Sequence, residues 1–534
     1  MRWLREQVEN RPDQSFLNGY SYKQIYNQAI LLVGFLNPTI AKRKRIGVCS
    51  ENSLQLAIVL FALWLSGKEV FLINPQLSVE ERMSQAVELG VDLVFTSPQV
   101  QARVVAEQEA ADGEQLKVGK AQLCSLAGCV SAALAQIRFI EGNEEHLVQW
   151  QSIPALPLMD EQTGRRLVAL FEQLVPTHEK VSSKVITDAD DDAIAAIMTT
   201  SATTGKVKAV PLRWGQIEAH VKASAQVLGV APEDNWLIVL PMFHVSGLSI
   251  LMRTLYNGTA ATIHSGFDED AVLKAIETGK INMMSLVPTV LQRLVNKIKH
   301  HQLRVILLGG EFIPNALVEA CLAKQLPIFK TYGMTETFAQ STTVDILKYP
   351  QKWQSVGKPL PGVVIEIRPL HAKGVEDSVG SLATGATGAT RFTEDEIGEI
   401  WISSPMVMKG YLGQAPIQGF FNTDDMGYVD EDGFLYIVNR RKDIIISGGE
   451  NIYPKEIEDV LYTLDGIREC AVVPEADEKW GQVPVLYYAG AADPATVESH
   501  LRRHLGRYKQ PKTIHKLEAL PRNSSGKILR RALM

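Results

Sequence analysis

Cysteine is scarce in this chain, with five among 534 residues, at positions 49, 124, 129, 321 and 470. They form no Cys-x-x-Cys pair and leave one thiol over. That argues against a disulfide framework or a zinc ribbon and fits the reducing cytoplasm. Long apolar runs are lacking too. The longest, 54–65 in "SLQLAIVLFALWLSG", is too short to span a bilayer and is broken by Gln55, so it reads as a helix buried beside a sheet. The opening "MRWLREQVENRPDQS" has no apolar stretch of secretory-signal type, so a soluble protein with no transmembrane segment is expected. Excess basic charge is also missing: the net charge is −6, which offers nucleic acid no footing as the main partner. No fixed-period repeat is present.

What is there is ordinary globular material, 46% hydrophobic and 21% charged, enough for a sizeable core in two to four domains. Residues 40–95 alternate as α/β architecture does: strands at "KRIGVCS", "EVFLINP" and "VDLVFTS", with helices over 53–66 and 78–88 between them. The theme returns over 230–335, with strands at "NWLIVLPMFH", "TAATIH", "NMMSLVP" and "LRVILLGG" and a helix from Val245. Residues 100–190 are polar and weakly periodic, a peripheral region; 371–396 is a small-residue tract of surface-loop type. Beyond it "IGEIWISSP" and "GFLYIVNR" read as strands of a β-rich subdomain. A boundary is expected near 439–443, followed by a compact α+β piece.

The chemistry concentrates in five segments. "TTSATTGKVKAV", 199–210, follows a buried strand and has the hydroxyls, glycine and lysines of a phosphate cradle. It is not the Walker pattern, since Thr200 and Val207 stand where that pattern needs Gly and Ser or Thr. In "KTYGMTET", 330–337, Tyr332 could stack on a base, Thr335 donate to a phosphate and Glu336 hold a magnesium ion; an ordinary strand-to-helix turn would use the same residues. In "NTDDMGYVDEDGF", 422–434, Asp425 is suited to accept two ribose hydroxyls, whereas 430–433 reads as a solvated acidic turn. "RRKDIIISGGENIYPKEIE", 440–458, joins basic residues, a buried strand, a Gly-Gly turn and a proline-started helix. "PRNSSGK", 521–527, sets Lys527 on a glycine-preceded loop, where a lysine by itself is more often merely solvated.

Together these segments resemble the adenylate-forming superfamily of acyl- and aryl-CoA synthetases, adenylation domains and luciferases. The first is similar to that family's phosphate loop, while "YGMTET", "GEIWISSPMVMKGY", "TDDMGY", "RRKDIIISGGENIYPKEIE" and "PRNSSGK" match its later motifs in order. The resemblance runs over nearly the whole chain and is weakest at 100–190 and 371–396. It implies an α/β fold: a large N-terminal domain, 1–439, of two α/β subdomains plus a β-rich subdomain that binds ATP and a carboxylic acid. A small mobile α+β domain, 440–534, would turn about a hinge at Lys442. It implies that the acid's carboxylate attacks the α-phosphate of ATP with Mg²⁺ present, giving an acyl-adenylate and pyrophosphate, and that the CoA thiol then displaces AMP. By that resemblance Lys527 is the ammonium at the α-phosphate and Thr335 and Glu336 complete the catalytic set, Glu336 on the metal side. Thr200, Ser201, Thr203, Thr204, Gly205 and Lys208 would cradle the β- and γ-phosphates. Gly309, Gly310, Tyr332 and Gly333 would frame the adenine, Asp425 and Arg440 would hold the ribose, and Gly448 and Gly449 would line the pantetheine channel after rotation. The sequence departs from the pattern at Ala202, Val207, Ala209 and Asp424, three of these where glycine is usual. A positive φ at Ala202 would cost about 1–2 kcal/mol.

Choice of acid points to "LPMFHVSGLSILMRTLYNG", 240–258, which resembles the matching segment of the o-succinylbenzoate–CoA ligases; 74–78, 285–295 and 307–314 look like the same subfamily. Such an acid keeps one carboxylate charged while the other is activated, and a buried charge must be paired. Arg253 lies seven residues beyond Ser246, two turns along one helical face, and either forms a bidentate pair with that carboxylate or is a surface helix arginine. His244 either stacks on the aromatic ring or is a satisfied core histidine; Ser246, Gly247 and Thr289 are wall candidates. Another aryl- or acyl-CoA ligase, for a benzoate, a cinnamate or a medium-chain acid, is the alternative, and a non-catalytic nucleotide-binding protein a more distant one.

Overall fold

The computed structural model describes residues 1–97, 99–100, 103, 134–141, 144–152, 190–200, 208–310, 313–369, 397–440, 443–447, 450–477, 480–522 and 527–534. Two mixed sheets form its bulk. In the first, seven strands run in the order Leu134–Glu141, Glu144–Ser152, Leu93–Thr96, Arg45–Cys49, Glu69–Ile73, Ile194–Thr200, Lys208–Arg213. Its centre is parallel, as strand–helix–strand alternation over 40–95 demands, and its strands are buried almost throughout. The second has nine strands, and its middle is the parallel run Ile328–Tyr332, Val305–Leu308, Met283–Leu286, Asn235–Ile238, Ala260–Ile263. From the region read as peripheral, 134–141 and 144–152 form an edge hairpin on the first sheet. The 371–396 tract lies outside the described residues.

The apolar run becomes the helix Leu54–Leu65, buried except at Gln55, and one core joins it to both sheets. Trp64 and Trp3 meet the ring of Trp214 edge-on at 5.6 and 5.5 Å, and the Trp64 indole N–H donates to the Ala195 carbonyl at 2.8 Å. No helix among the described residues is long and apolar enough to cross a membrane. Cys49, Cys321 and Cys470 are buried free thiols.

One strand reading is corrected by the geometry. The strand expected over 235–244 stops at Ile238: Pro241 has no N–H to donate, and 241–244 closes as a turn, His244 N donating to the Pro241 carbonyl at 3.1 Å. Residues 422–429 lie in the strand Phe421–Val429 of a four-stranded antiparallel sheet with Val364–Arg368, Gly398–Ser403 and Leu435–Arg440, and the acidic turn expected at 430–433 follows it, Gly433 N donating to the Asp430 carbonyl at 2.9 Å. Asp424 stands in that strand with φ +59, a left-handed position that explains why glycine is common in the pattern and why a short polar residue is tolerated.

After Arg440 the chain enters a fourth sheet, Ile445–Ser447, Glu450–Ile452, Ile467–Asp477, Gly481–Gly490 and Thr513–Lys516, covered by the helices Pro454–Tyr462 and Pro494–His504. The first of these helices packs back on the larger body, where the Lys455 ammonium donates to the Ile437 carbonyl at 2.5 Å.

Asn52 bridges the two large sheets. It donates to the Leu240 carbonyl and accepts from Met242 N, both at 2.8 Å, with its side chain buried. Replacing Asn52 by Ala leaves a buried donor and acceptor unmet, so we expect a loss of about 2–4 kcal/mol in denaturant unfolding. A loss within about 0.5 kcal/mol, the usual range for surface changes, would show that this bridge does not hold the sheets together.

Candidate active site

Ligands of open α/β sheets bind outside the carboxyl ends of the strands, and four adjacent parallel strands of the larger sheet end together here. Tyr332 closes Ile328–Tyr332; Gly309 and Gly310 follow Val305–Leu308; Thr289 lies in the first turn of the helix Pro288–Leu294 after Met283–Leu286; His244 caps the helix Val245–Asn257 after Asn235–Ile238. Close approach fixes the two glycines that matter most. A Cβ on Gly247 would meet the Leu240 and Pro241 carbonyl oxygens at 2.4 and 2.3 Å, so only glycine lets this helix start over that turn. A Cβ on Gly333 would lie 1.7 Å from the Ala339 carbonyl oxygen. The chain between doubles back through Phe338 and Ala339, both at positive φ, +52 and +84, and Ser341 N returns to the Tyr332 carbonyl at 2.7 Å.

That turn presents Thr335 and Glu336 on a single 3₁₀ turn. The Glu336 carbonyl accepts from Met408 N at 2.8 Å and from the Gln216 amide at 3.2 Å, and its carboxylate accepts from the Tyr411 hydroxyl at 2.9 Å. The Lys208 ammonium stands 4.9 Å from the centre of the Tyr411 ring. No Lys or Arg pairs with Glu336 among the described residues. A buried carboxylate with no protein cation fits a hard divalent ion, which takes one carboxylate together with substrate phosphates. No cluster of three or more ligating side chains exists among the described residues, so such an ion would depend on those phosphates.

The Tyr332 hydroxyl donates to the buried Asp425 carboxylate at 2.7 Å, and Arg440 lies opposite Asp425 in the strand register. Thr200 ends its strand with its hydroxyl 3.5 Å from the Lys208 carbonyl. Ser201, Thr203, Thr204 and Gly205, with Ala202 and Val207, lie outside the described residues, as do Lys442, Gly448 and Gly449.

Lys527 reaches this crevice from the small domain. Its Cε lies 4.0 Å from where a Cβ on Gly310 would stand, in space left open by a glycine at φ +89. Two half-buried ion pairs flank Lys527 in the chain. Arg530 forks onto Glu458 at 2.6 and 2.9 Å, and Arg522 pairs with Glu469, while Leu529 N closes the loop on the Pro521 carbonyl at 2.8 Å. Burial, with the Lys527 ammonium nearby, pushes the His244 imidazole down to about 4.

Arg253 is 2% exposed and so is not a surface arginine. Its Nε donates to the Ser224 hydroxyl at 2.9 Å, Nη1 to the Ser249 hydroxyl at 3.2 Å, and Nη2 to Gln340 Oε1 at 3.1 Å while facing His220 Nε2 at 3.4 Å. The Trp236 ring lies 5.7 Å away. Every one of these partners is neutral, and burial alone lowers the guanidinium to about 9, so it stays charged at neutral pH. Of five N–H groups one is uncommitted, so a bidentate clamp, as expected from the sequence, requires Gln340 or His220 to give way. Ser246 sits in the first turn of the same helix, its carbonyl accepting from Ser249 at 3.4 Å.

Gln216, His220, Ser224 and Gln340 carry no motif of their own, and sequence reasoning passes over them. Tyr411 closes the quoted "GEIWISSPMVMKGY" and could have been singled out there.

We expect His244 to stay neutral down to about pH 5 in histidine NMR, and removal of the Lys527 charge by Lys527→Met to raise its pKa. Because the folded pKa is depressed, His244 contributes stability that is full above about 6.5 and falls away toward 4. A His244 titration near 6.5 that ignores Lys527 would place that lysine outside the crevice.

Residues 4–412 match the model of the AMP-binding enzyme family, and 456–527 that of the AMP-binding enzyme C-terminal domain. Over 533 residues, the whole of both chains, the sequence is 45% identical to the 2-succinylbenzoate–CoA ligase of Lactococcus lactis subsp. lactis (strain IL1403). The o-succinylbenzoate CoA synthetase (MenE) of Bacillus subtilis in complex with the acyl-adenylate intermediate OSB-AMP aligns with TM-score 0.78 at 29% identity, over 99% of this chain and 97% of that one. The same enzyme with ATP and a magnesium ion aligns at 0.76 and 28%, over 99% and 98%. With its crevice at the strand ends and its second domain bearing Lys527, this chain belongs to the AMP-binding enzyme family.

Proposed function

We propose that this protein is an AMP-forming acid–CoA ligase that activates o-succinylbenzoate. The observation that carries the choice of acid is Arg253: a buried guanidinium whose protein partners are all neutral sits in the helix that begins at His244. Burying a cation without a counter-ion is costly, and an acid bringing a second carboxylate removes that cost. A fatty acid brings no such group. The 45% identity with a 2-succinylbenzoate–CoA ligase along the full length supports the same reading.

In the first half-reaction the succinyl carboxylate oxygen attacks the α-phosphorus and the bond to the pyrophosphate oxygen breaks. Negative charge grows on the α-phosphoryl oxygens, and Lys527, held over Gly310 and beside His244, meets it. His244, kept neutral, adds no competing cation and offers its ring to the aromatic acid. Tyr332 and Asp425 hold the nucleoside, the hydroxyl bond between them fixing both. Thr200, Lys208 and Thr335, with Ser201, Thr203, Thr204 and Gly205 of the phosphate loop, face the phosphates. Glu336, oriented by Tyr411, would hold Mg²⁺, which when bound neutralises phosphate charge. In the second half-reaction the CoA sulfur attacks the acyl carbon, the thiol gives up its proton and AMP leaves.

We assign 1–439 to the ATP- and acid-binding domain and 440–534 to a mobile domain hinged at Lys442. In support, the third sheet ends at Arg440 and the fourth begins at Ile445, so the change of sheet falls in the few residues between. After rotation, Gly448 and Gly449 would line the thiol's channel. We assign the enzyme to the cytoplasm, a reading its use of ATP and CoA supports.

Purified protein with Mg-ATP and CoA should release pyrophosphate and form thioester with o-succinylbenzoate in strong preference to benzoate, 4-coumarate and octanoate. Preference for one of the others would overturn the substrate and keep the reaction; silence with all would overturn both. Lys527→Ala should abolish adenylation, by about 10²–10³-fold, yet spare thioester formation from supplied acyl-adenylate. Loss of both halves would remove Lys527 from its role.

A further inference from the structure

Gln340 holds Arg253 in an arrangement that the reading of the acid site leaves unused. Its Oε1 accepts from Arg253 Nη2 at 3.1 Å and from the Ser224 hydroxyl at 2.9 Å, and its Nε2 donates to the Thr343 hydroxyl. The amide orientation is therefore set, because a guanidinium can only donate. The side chain is 1% exposed, and its backbone follows the left-handed Phe338–Ala339 pair, with Ser341 locked to Tyr332 on the other side. Phe338 in turn meets the His220 ring edge-on at 5.1 Å. To swing away, the Gln340 amide would have to give up its bonds to Arg253, Ser224 and Thr343 together.

Among the described residues, Arg253 thus has hydrogen-bond acceptors but no negative charge. Glutamate has the shape of glutamine, and at this position it would satisfy the guanidinium permanently. We propose that Gln340 is a specificity-determining residue: as a fixed neutral acceptor it leaves the Arg253 charge unmatched, so that an acid with a second carboxylate is preferred over one without. This rests on the reading that Arg253 meets the substrate's spectator carboxylate. Gln340 itself acts through Arg253 and need not touch the acid.

The test is the ratio of kcat/KM for o-succinylbenzoate to that for 4-oxo-4-phenylbutanoate, the same acid without its ring carboxylate. The wild-type protein is compared with Gln340→Glu, Ser224→Asp and Arg253→Met. Ser224→Asp brings a carboxylate to the guanidinium from the other side and serves should Gln340→Glu not fold. We expect either acidic variant to lower the ratio on the order of tenfold or more, a typical coupling between sites, chiefly through a higher KM for the diacid, with turnover of the monoacid retained. A merely structural role would depress both acids alike and leave the ratio unmoved. If the folded acidic variants keep the wild-type ratio while Arg253→Met collapses it, the proposal for Gln340 fails and the reading of Arg253 stands. If Arg253→Met also leaves the ratio unchanged, that reading fails and takes the proposal with it.

Discussion

A buried charge with no counter-ion among the described residues dominates the centre of this molecule. Arg253 needs acceptors from several directions, and the fold brings them from three elements: Ser249 from its own helix, Ser224 and His220 from the helix Trp214–Leu228, and Gln340 from the return of the 333–340 turn. Each acceptor satisfies an N–H without cancelling the charge. Hydrogen-bond satisfaction and charge neutralisation are separate demands, and here the protein meets only the first. His220 reflects the same logic. Burial, with the guanidinium beside it, drives its imidazole well below the ordinary range, so it stays neutral and adds no second positive charge.

The nucleotide side depends on this cluster through backbone geometry. Phe338 and Ala339 occupy left-handed conformations that L-residues adopt at a cost, and such strain persists only where the surroundings over-determine it. The surroundings here are the absent side chain of Gly333, the T-shaped contact with His220 and the clamp on Gln340. Across the crevice, the residues on either side of Lys527 are tied down by the Glu458–Arg530 and Glu469–Arg522 pairs inside the small domain. The seam between the domains is less settled. Burial, with Lys455 nearby, pushes Lys330 down to about 7, and burial pushes Asp459 up to about 6. Charged groups desolvated by docking weaken the docked state, which suits the rotation proposed for this domain.

Much of the framework was legible. Strand–helix alternation over 40–95 and 230–335 placed the parallel sheets, because buried parallel strands are short apolar runs and three of the helices between them begin at the caps Ser53, Ser78 and Asp268. Asp425 was legible as chemistry and not as structure: two acidic residues and a glycine disguise a strand whose bulge turns on Asp424. Helical periodicity placed Arg253 on the face of Ser246, yet said nothing of what that face meets. Gln340, Ser224 and His220 lie 87, 29 and 33 residues from Arg253 along the chain, and no local pattern marks a contact made by tertiary packing. Tyr411 was inside a quoted motif, but its link to Glu336 spans 75 residues and shows only in space.

The two cations of the site are built in opposite ways, and the contrast follows from what each has to do on this reading. A charge that selects the acid must be present before the acid arrives and must not move, or its attraction would be lost to solvent and to rearrangement. Arg253 meets both conditions, in a rigid setting made by two helices and a strained turn. A charge that meets the growing negative charge at the phosphate is needed in one half-reaction and stands in the way of the thiol in the other. Lys527 is accordingly carried on the smaller α+β piece of the chain, against a glycine that leaves it room and beside a histidine whose imidazole is kept neutral. Fixing the selecting charge in the core and placing the reacting one on the mobile domain lets one crevice serve both half-reactions without losing its hold on the acid.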